Sequence, residues 1–394
     1  MKPFIKNYLF VVLIMTALNV QAQQKKEEEK KEPRYEFTIE KEIPHTSIKS
    51  QSSSSTCWSF SATALFESEM MRTGKDSISI SPMWTVRNIF VEKTIKYVRM
   101  HGKTSIEPGG SFYDVIYSSK KYGMIPESEY NGLNYGSTTH NHGEVDKVVE
   151  NFGKSIITGR KLSTAWINAL NGILDAYFGK APQEFTYKGV KHTPLSFAES
   201  TGLNFDDYVS ITSFTHHPFY TKFILEIPDN WIFESSYNLP LDEMMSVIEN
   251  AIQNGYSVAW GADVSEKSFN RNIAVIPPEE VKKNAASEQT DRKIGKAQTK
   301  TESEPLPVEK TVTQSMRQEA FDNYETTDDH GMLMVGTAKD QNGNRFYKVK
   351  NSWGTENEYK GYLFVSEAYV KYKTMNIMVH KDAIPPEIRQ KTGL

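Results

Sequence analysis

Gln51-Ser-Ser-Ser-Ser-Thr-Cys57-Trp58-Ser-Phe60 contains the only cysteine of the 394-residue chain, Cys57. The run from Trp58 to Arg72 places Ala62, Leu65, Phe66 and Met70 at helical spacing, which predicts a helix with one buried face. The hydroxylic residues before it, Ser54, Ser55 and Thr56, are candidates to cap that helix. A thiol at a helix N-terminus sits at the positive end of the dipole. That favours the thiolate and predicts a pKa below the usual ~8.5. The competing reading is a buried structural cysteine, a common fate of free thiols.

A nucleophilic thiol needs a base, and the base needs an orienting group. Towards the far end stands Asp328-Asp329-His330-Gly331-Met332-Leu333-Met334-Val335-Gly336, an apolar strand opened by a histidine. Phe346-Tyr-Lys-Val-Lys then alternates as a second strand ending at Asn351-Ser352-Trp353-Gly354. Paired antiparallel, the two strands bring His330 beside Asn351. The amide oxygen can accept the imidazole N–H, and a neighbouring indole can cover that bond.

These residues together resemble the signature of papain-like cysteine peptidases: Gln-x5-Cys-Trp, a histidine opening an apolar strand, and Asn-Ser-Trp-Gly. By that resemblance Gln51 is the side-chain donor of the oxyanion hole, Cys57 the nucleophile, His330 the general base and acid, Asn351 its orienter and Trp353 the shield. The sequence departs from papain before the nucleophile, with Ser54-Ser55-Thr56 in place of Cys-Gly-Ser/Ala. Cys57 and His330 are separated by about twice the roughly 130–150 positions of ordinary papains. The extra length resembles the bleomycin hydrolase and aminopeptidase C branch. So do Gly109-Gly110-Ser111-Phe112, Lys121-Tyr122-Gly123-Met124-Ile125-Pro126, Phe185-Thr-Tyr-Lys, Thr193-Pro194-Leu195-Ser196-Phe197 and Val258-Ala-Trp260-Gly261-Ala262-Asp263-Val264. Gly109 and Gly110 resemble glycines that line the substrate groove; the plain alternative is an ordinary turn.

The implied fold class is α+β: a helical half carrying Cys57, an antiparallel β half carrying His330 and Asn351, and a mostly helical insertion at about 137–235. Residues 37–394 form the peptidase domain. Within it, helices are expected at Trp84 to Met100, Phe112 to Tyr122, across Gly143 to Phe178, at Leu241 to Gln253 and at Gln314 to Asn323. Strands are expected at Tyr256 to Ala262, Gly361 to Val365 and Met375 to Val379, with a hairpin turn at Lys188-Gly189. About 270–313 reads as an exposed, irregular excursion, rich in Lys, Glu, Gln, Thr and Pro beyond Glu279. Residues 1–22 read as a signal peptide, with Lys2 and Lys6, an apolar Tyr8 to Leu18 and a Val20-Gln21-Ala22 cut. Residues 23–36 form a charged, solvated leader. Export to the periplasm or the extracellular space follows, with no membrane anchor, since the apolar run is too short to span and no cysteine adjoins the cut.

The net charge of −3 argues against a nucleic-acid partner. His140, His142, His216 and His217 form two clusters far apart in sequence with no cysteine among them, so no metal site is expected, and no cofactor is required. The partners are peptide substrates, and the hexamers of the resembling branch make a homo-oligomer an expectation. The resemblance implies a secreted cysteine peptidase that removes N-terminal residues through a thioester. Two alternatives stay open. The family's longer C-terminal tail enters the cleft, whereas this sequence stops at Leu394, which would leave an open cleft and an endopeptidase. The other is a non-catalytic peptide-binding protein.

Overall fold

A computed structural model of the protein describes residues 34–278, 306 and 308–394. The signal segment 1–22, all but the end of the leader, and positions 279–305 and 307 of the excursion lie outside the described residues. The chain from Phe37 onward opens with strand β1 (Thr38–Glu42). Helix α1 (Cys57–Arg72) follows and is buried from Cys57 to Met70, not on one face alone. Its surroundings explain the difference. Helices α2 (Pro82–Arg99) and α3 (Phe112–Tyr122) pack on it, and the sheet described below covers it as well. A helix enclosed in this way has no solvent face, so polar residues such as Glu67 are buried with it.

Local chemistry sets the other helix ends. The Ser81 side chain accepts from Trp84 N at 3.0 Å, with Pro82 in the first turn of α2. Ser111 and Asp114 form a capping box on α3, and Gly123 ends it at φ +73°. A Cβ at Gly123 would lie 2.1 Å from the Pro194 carbonyl carbon. Helices α4 (Gly143–Ile156) and α5 (Ala165–Phe178) each bury one stripe, Val145 and Val149 in the first and Leu170, Leu174 and Phe178 in the second, and both pack on α2. The hairpin of β2 (Phe185–Tyr187) and β3 (Val190–His192) turns at Lys188 and Gly189, both at positive φ. Helix α6 (Pro194–Thr201) is capped by Thr193.

Helical structure in the 137–235 insertion then gives way. From Tyr208 this segment supplies β4 (Tyr208–Thr212) and β5 (Lys222–Ile224), with β6 (Ser235–Asn238) at its end, and all three join the main sheet. Burial on β4 is uneven, so no clean alternation announced it. Next come α7 (Leu241–Gln253), β7 (Val258–Ala262), β8 (Ile273–Ala274), α8 (Gln314–Asp322), β9 (His330–Lys339), β10 (Arg345–Lys350), β11 (Tyr362–Ser366), α9 (Glu367–Lys373), β12 (Thr374–His380) and α10 (Pro386–Thr392). Helices α9 and α10 were not expected from the sequence.

Among the described residues the sheet has ten strands, ordered β5-β6-β4-β12-β7-β9-β10-β11-β8, with β1 also on β9. Its pairs are antiparallel except β4–β6 and β8–β11. One apolar core lies among α1 to α6; a second fills the space around the sheet, α7 and α9. Trp260, on β7, is fully buried and donates its indole N–H to Thr374 Oγ1 at 2.7 Å. Trp260→Ala removes that bond and leaves a large cavity. The expected loss is about 3–5 kcal/mol, read as a lower urea midpoint; an unchanged midpoint contradicts this packing account.

Candidate active site

The Ser run before Cys57 is held by its neighbours. Ser53 N donates to His140 O at 3.1 Å, and His142 N donates to Ser53 O at 3.0 Å. Ser52 and Ser55 adopt φ of 48° and 54°, a conformation glycine takes more readily. Thr56 is the N-cap residue of α1 but its side chain makes no cap bond; it pairs with Ser54 Oγ at 2.5 Å instead. The expected hydroxyl cap is therefore absent, because that hydroxyl is engaged inside the loop.

Gln51 N donates to Ser352 O at 2.8 Å, and Ser352 Oγ donates to Gln51 Oε1 at 2.8 Å. The second bond orients the amide with Nε2 as the remaining donor. Ser352 was not singled out from the sequence as a partner of Gln51; 301 positions separate the two.

On the opposite wall His330 opens β9, and Asn351 follows β10 directly. The His330 Nε2–H donates to Asn351 Oδ1 at 2.8 Å, and Ser352 N donates to the same oxygen at 2.7 Å. Nδ1 of His330 is left as the basic nitrogen. Trp353 stacks on the imidazole with centroids 4.6 Å apart, while Arg271 lies 5.6 Å from the indole centroid. Next to Asn351, Lys350 Nζ donates to Thr46 Oγ1 at 2.9 Å, and Thr46 bonds Glu67 of α1. Glu67 also accepts from Lys49 at 2.9 Å and Ile80 N at 2.7 Å. A buried polar chain thus ties the helix of Cys57 to the strand before Asn351.

Helix and strand meet at Gly331. A Cβ there would lie 2.8 Å from Ser61 Oγ and 3.4 Å from Trp58 Cα. The Gly331 backbone N–H lies close enough to the Cys57 sulfur to favour its thiolate, so the thiol lies beside the residue that follows His330. Gly109 and Gly110 border Trp58, whose indole donates to Pro108 O at 3.2 Å. A Cβ at Gly110 would sit 2.9 Å from Trp58, and one at Gly109 would sit 2.1 Å from Asp229 Oδ2. Neither has positive φ; they are glycines for lack of space, not as a turn. Gln51, Cys57, His330, Asn351 and Trp353 are thus brought together, with Gly110 against Trp58 and Gly109 against Asp229.

Burial overrides the helix dipole at the sulfur. Removal from water pushes the Cys57 thiol up to about 12; the Gly331 N–H opposes this, and the negative potential of Asp229 and Asp328 adds to it. Burial also pulls the His330 imidazole down to about 4, opposed by the bond to Asn351. Burial thus opposes the thiolate that the helix N-terminus favours. The acidic neighbours follow from topology. Asp229 precedes the Trp231 that donates to Asp114 at 2.8 Å, and no sequence pattern marked it. Asp328 was visible beside His330 but had no role assigned.

His140 and His142 brace the Ser53 loop, and His216 and His217 lie on the loop between β4 and β5. The two histidine pairs expected to stay apart occupy different elements.

A model of the Peptidase C1-like family matches residues 178–393. The chain belongs to the Peptidase C1-like family. It is a cysteine-type peptidase with a papain-like α+β fold. Aminopeptidase C of Streptococcus thermophilus is 22% identical, over 89% of this chain and 84% of that protein. Aminopeptidase G of Lactobacillus delbrueckii subsp. lactis is 23% identical, over 86% and 82%. The crystal structure of pepw from Lactobacillus rhamnosis HN001 matches with a TM-score of 0.64 at 21% identity, covering 90% of this chain and 84% of that one. Among the described residues of this C1-like peptidase no helix is long and apolar enough to cross a membrane.

The lowered imidazole pKa gives a direct readout. A depressed value keeps His330 neutral, and able to accept a proton, from ~6.5 down to about 4. The acid limb of kcat/KM is therefore expected near pH 4, in a pH profile on a non-ionising peptide. A limb at the value of free imidazole contradicts the buried-base account.

Proposed function

We propose that this C1-like peptidase is an exported aminopeptidase that works through Cys57, His330, Asn351 and Gln51. The observation that carries the catalytic reading is the 2.8 Å bond from His330 Nε2 to Asn351 Oδ1. It leaves Nδ1 as the acceptor on the residue adjoining the thiol's Gly331 contact. His330 Nδ1 takes the Cys57 proton as the sulfur attacks the peptide carbonyl, so the two charges arise together as an ion pair. The Cys57 N–H and the Gln51 Nε2 donate to the developing oxyanion. Collapse breaks the C–N bond, and His330 gives its proton to the leaving amine. Water, deprotonated by His330, then hydrolyses the thioester and restores the thiol. Asn351 holds the imidazole in one orientation, and Trp353 keeps water from the His330–Asn351 bond. Gly109 and Gly110 let the substrate backbone approach.

The aminopeptidase reading is supported by the names of the relatives and by two carboxylates. Asp229 and Asp328 both act on the Cys57 sulfur and on each other. Burial raises both, helped by Glu107 at Asp229 and by Asp229 at Asp328, while Lys93 opposes it at Asp229. Neither forms a hydrogen bond or close ion pair among the described residues. A substrate's α-ammonium beside the scissile bond would supply the missing positive charge; an acetylated N-terminus would not. Export rests on the basic start, apolar middle and small-residue cut of residues 1–22.

The test compares two dye-linked peptides that differ only in N-terminal acetylation, under reducing conditions. Cleavage of the free-amine peptide alone, lost in Cys57→Ala, is the expected result. Cleavage of both identifies an endopeptidase, and cleavage of neither identifies a peptide-binding protein. Asp328→Asn is expected to lower kcat/KM on the free-amine peptide by about ten- to a hundredfold, the worth of a charged hydrogen bond. An unchanged value removes Asp328 from amine recognition. Gln51→Ala is expected to lower kcat by about 10²–10³ with little change in KM; a change confined to KM would place Gln51 in substrate binding instead.

A further inference from the structure

The loop between β4 and β5 carries His216 and His217, and Glu226 lies two residues past the end of β5. This loop's backbone is pinned. Asn238, fully buried on β6, donates Nδ2 to Phe214 O at 2.7 Å and His217 O at 2.9 Å, and its Oδ1 accepts from Phe214 N at 2.9 Å. Arg317 Nε of α8 donates to Ser213 O at 2.8 Å. Gln318 Oε1 accepts from Thr215 N at 2.5 Å.

Both imidazoles are also held by aromatic walls. His217 stacks on Phe223 with centroids 4.2 Å apart, and His216 stacks on Phe321 at 5.6 Å while meeting Phe223 edge-on at 5.3 Å. In this arrangement His216 Nε2 lies 3.0 Å from Glu226 Oε2, and His217 Nε2 lies 3.1 Å from Glu226 Oε1. One ligating atom from each of the three residues falls within a 4.8 Å spread. The rings remain partly exposed, which leaves a path for an ion and water.

We propose that His216, His217 and Glu226 bind one divalent transition-metal ion of the zinc class. Two imidazoles and one carboxylate suit zinc, cobalt, nickel or copper, whereas calcium and magnesium prefer oxygen donors. Ligand distances near ~2.0–2.2 Å require only a small inward movement of the three groups, and water completes the shell. His216 Nδ1 lies 3.1 Å from Gln318 Nε2 and 3.3 Å from Gln318 Oε1. With Nε2 on the ion, Nδ1 carries the proton and donates to that oxygen, the usual outer-shell support of a ligating histidine. A bound ion thereby joins the β4–β5 loop to α8 through Gln318. Glu226 stands nine positions after His217, and only the return of the chain through β5 brings it back to the histidines. Without metal, two ring N–H groups donating into one carboxylate give the same spacing, so a titration must separate the two states.

The experiment uses the full chain carrying Cys57→Ala, so that the thiol contributes no ligand, stripped with a chelator and titrated with Co²⁺ followed by Zn²⁺ competition. One saturable site per chain, with a visible cobalt spectrum and a rise in melting temperature, is expected. His217→Ala and Glu226→Gln are each expected to weaken binding by about tenfold or more, while His101→Asn, on an exposed residue elsewhere, leaves it unchanged. Circular dichroism verifies that the variants fold, and Glu226→Gln keeps the carboxylate's shape. Absence of saturable binding overturns the proposal. So does an affinity unchanged in both His217→Ala and Glu226→Gln.

Discussion

Gly331 lacks a side chain, and the site is built in the space this leaves. Helix α1 and strand β9 meet where a single added carbon would press on Ser61 and Trp58. Close contact there sets the thiol of Cys57 against the backbone N–H next to His330. The remaining supports act around this contact. Gly109 and Gly110 leave room for Trp58 and Asp229, and the polar chain through Glu67, Thr46 and Lys350 fixes α1 relative to the strand that ends before Asn351. These are packing constraints with hydrogen-bonded interiors, as burial of polar groups requires.

Enclosure also sets the site's electrostatics. A helix N-terminus contributes about half a unit charge, an influence weaker here than the loss of water around the sulfur. Burial therefore opposes a charge on either group taken alone. Asp229 and Asp328 strengthen the bias against a resting thiolate. They are costly in an empty site, and a cation between them would relieve that cost. This is the physical basis on which a free amino terminus would be preferred.

Local signals were read well where they span a few residues. The helix from Cys57, the Ser81-Pro82 start, the Gly123 stop, the Lys188-Gly189 turn and the strands around His330 and Asn351 all lie where caps, punctuation and periodicity placed them. The cap at Thr56 failed because its hydroxyl found a nearer partner in Ser54. Strands β4 to β6 were read as part of a helical insertion because their short lengths and uneven burial carry no clear period.

By itself the sequence determined the helix that begins at Cys57, the order of the candidate site residues and the family, because each rests on neighbours in the chain or on a short motif. Tertiary structure decided what surrounds them. It buried α1 from Cys57 to Met70, set the loss of water against the charged forms of Cys57 and His330, placed Ser352 on Gln51, brought Asp229 to the thiol and returned Glu226 to the two histidines. Those outcomes join residues from separate elements. Sheet order and burial set them, and no local pattern encodes either one.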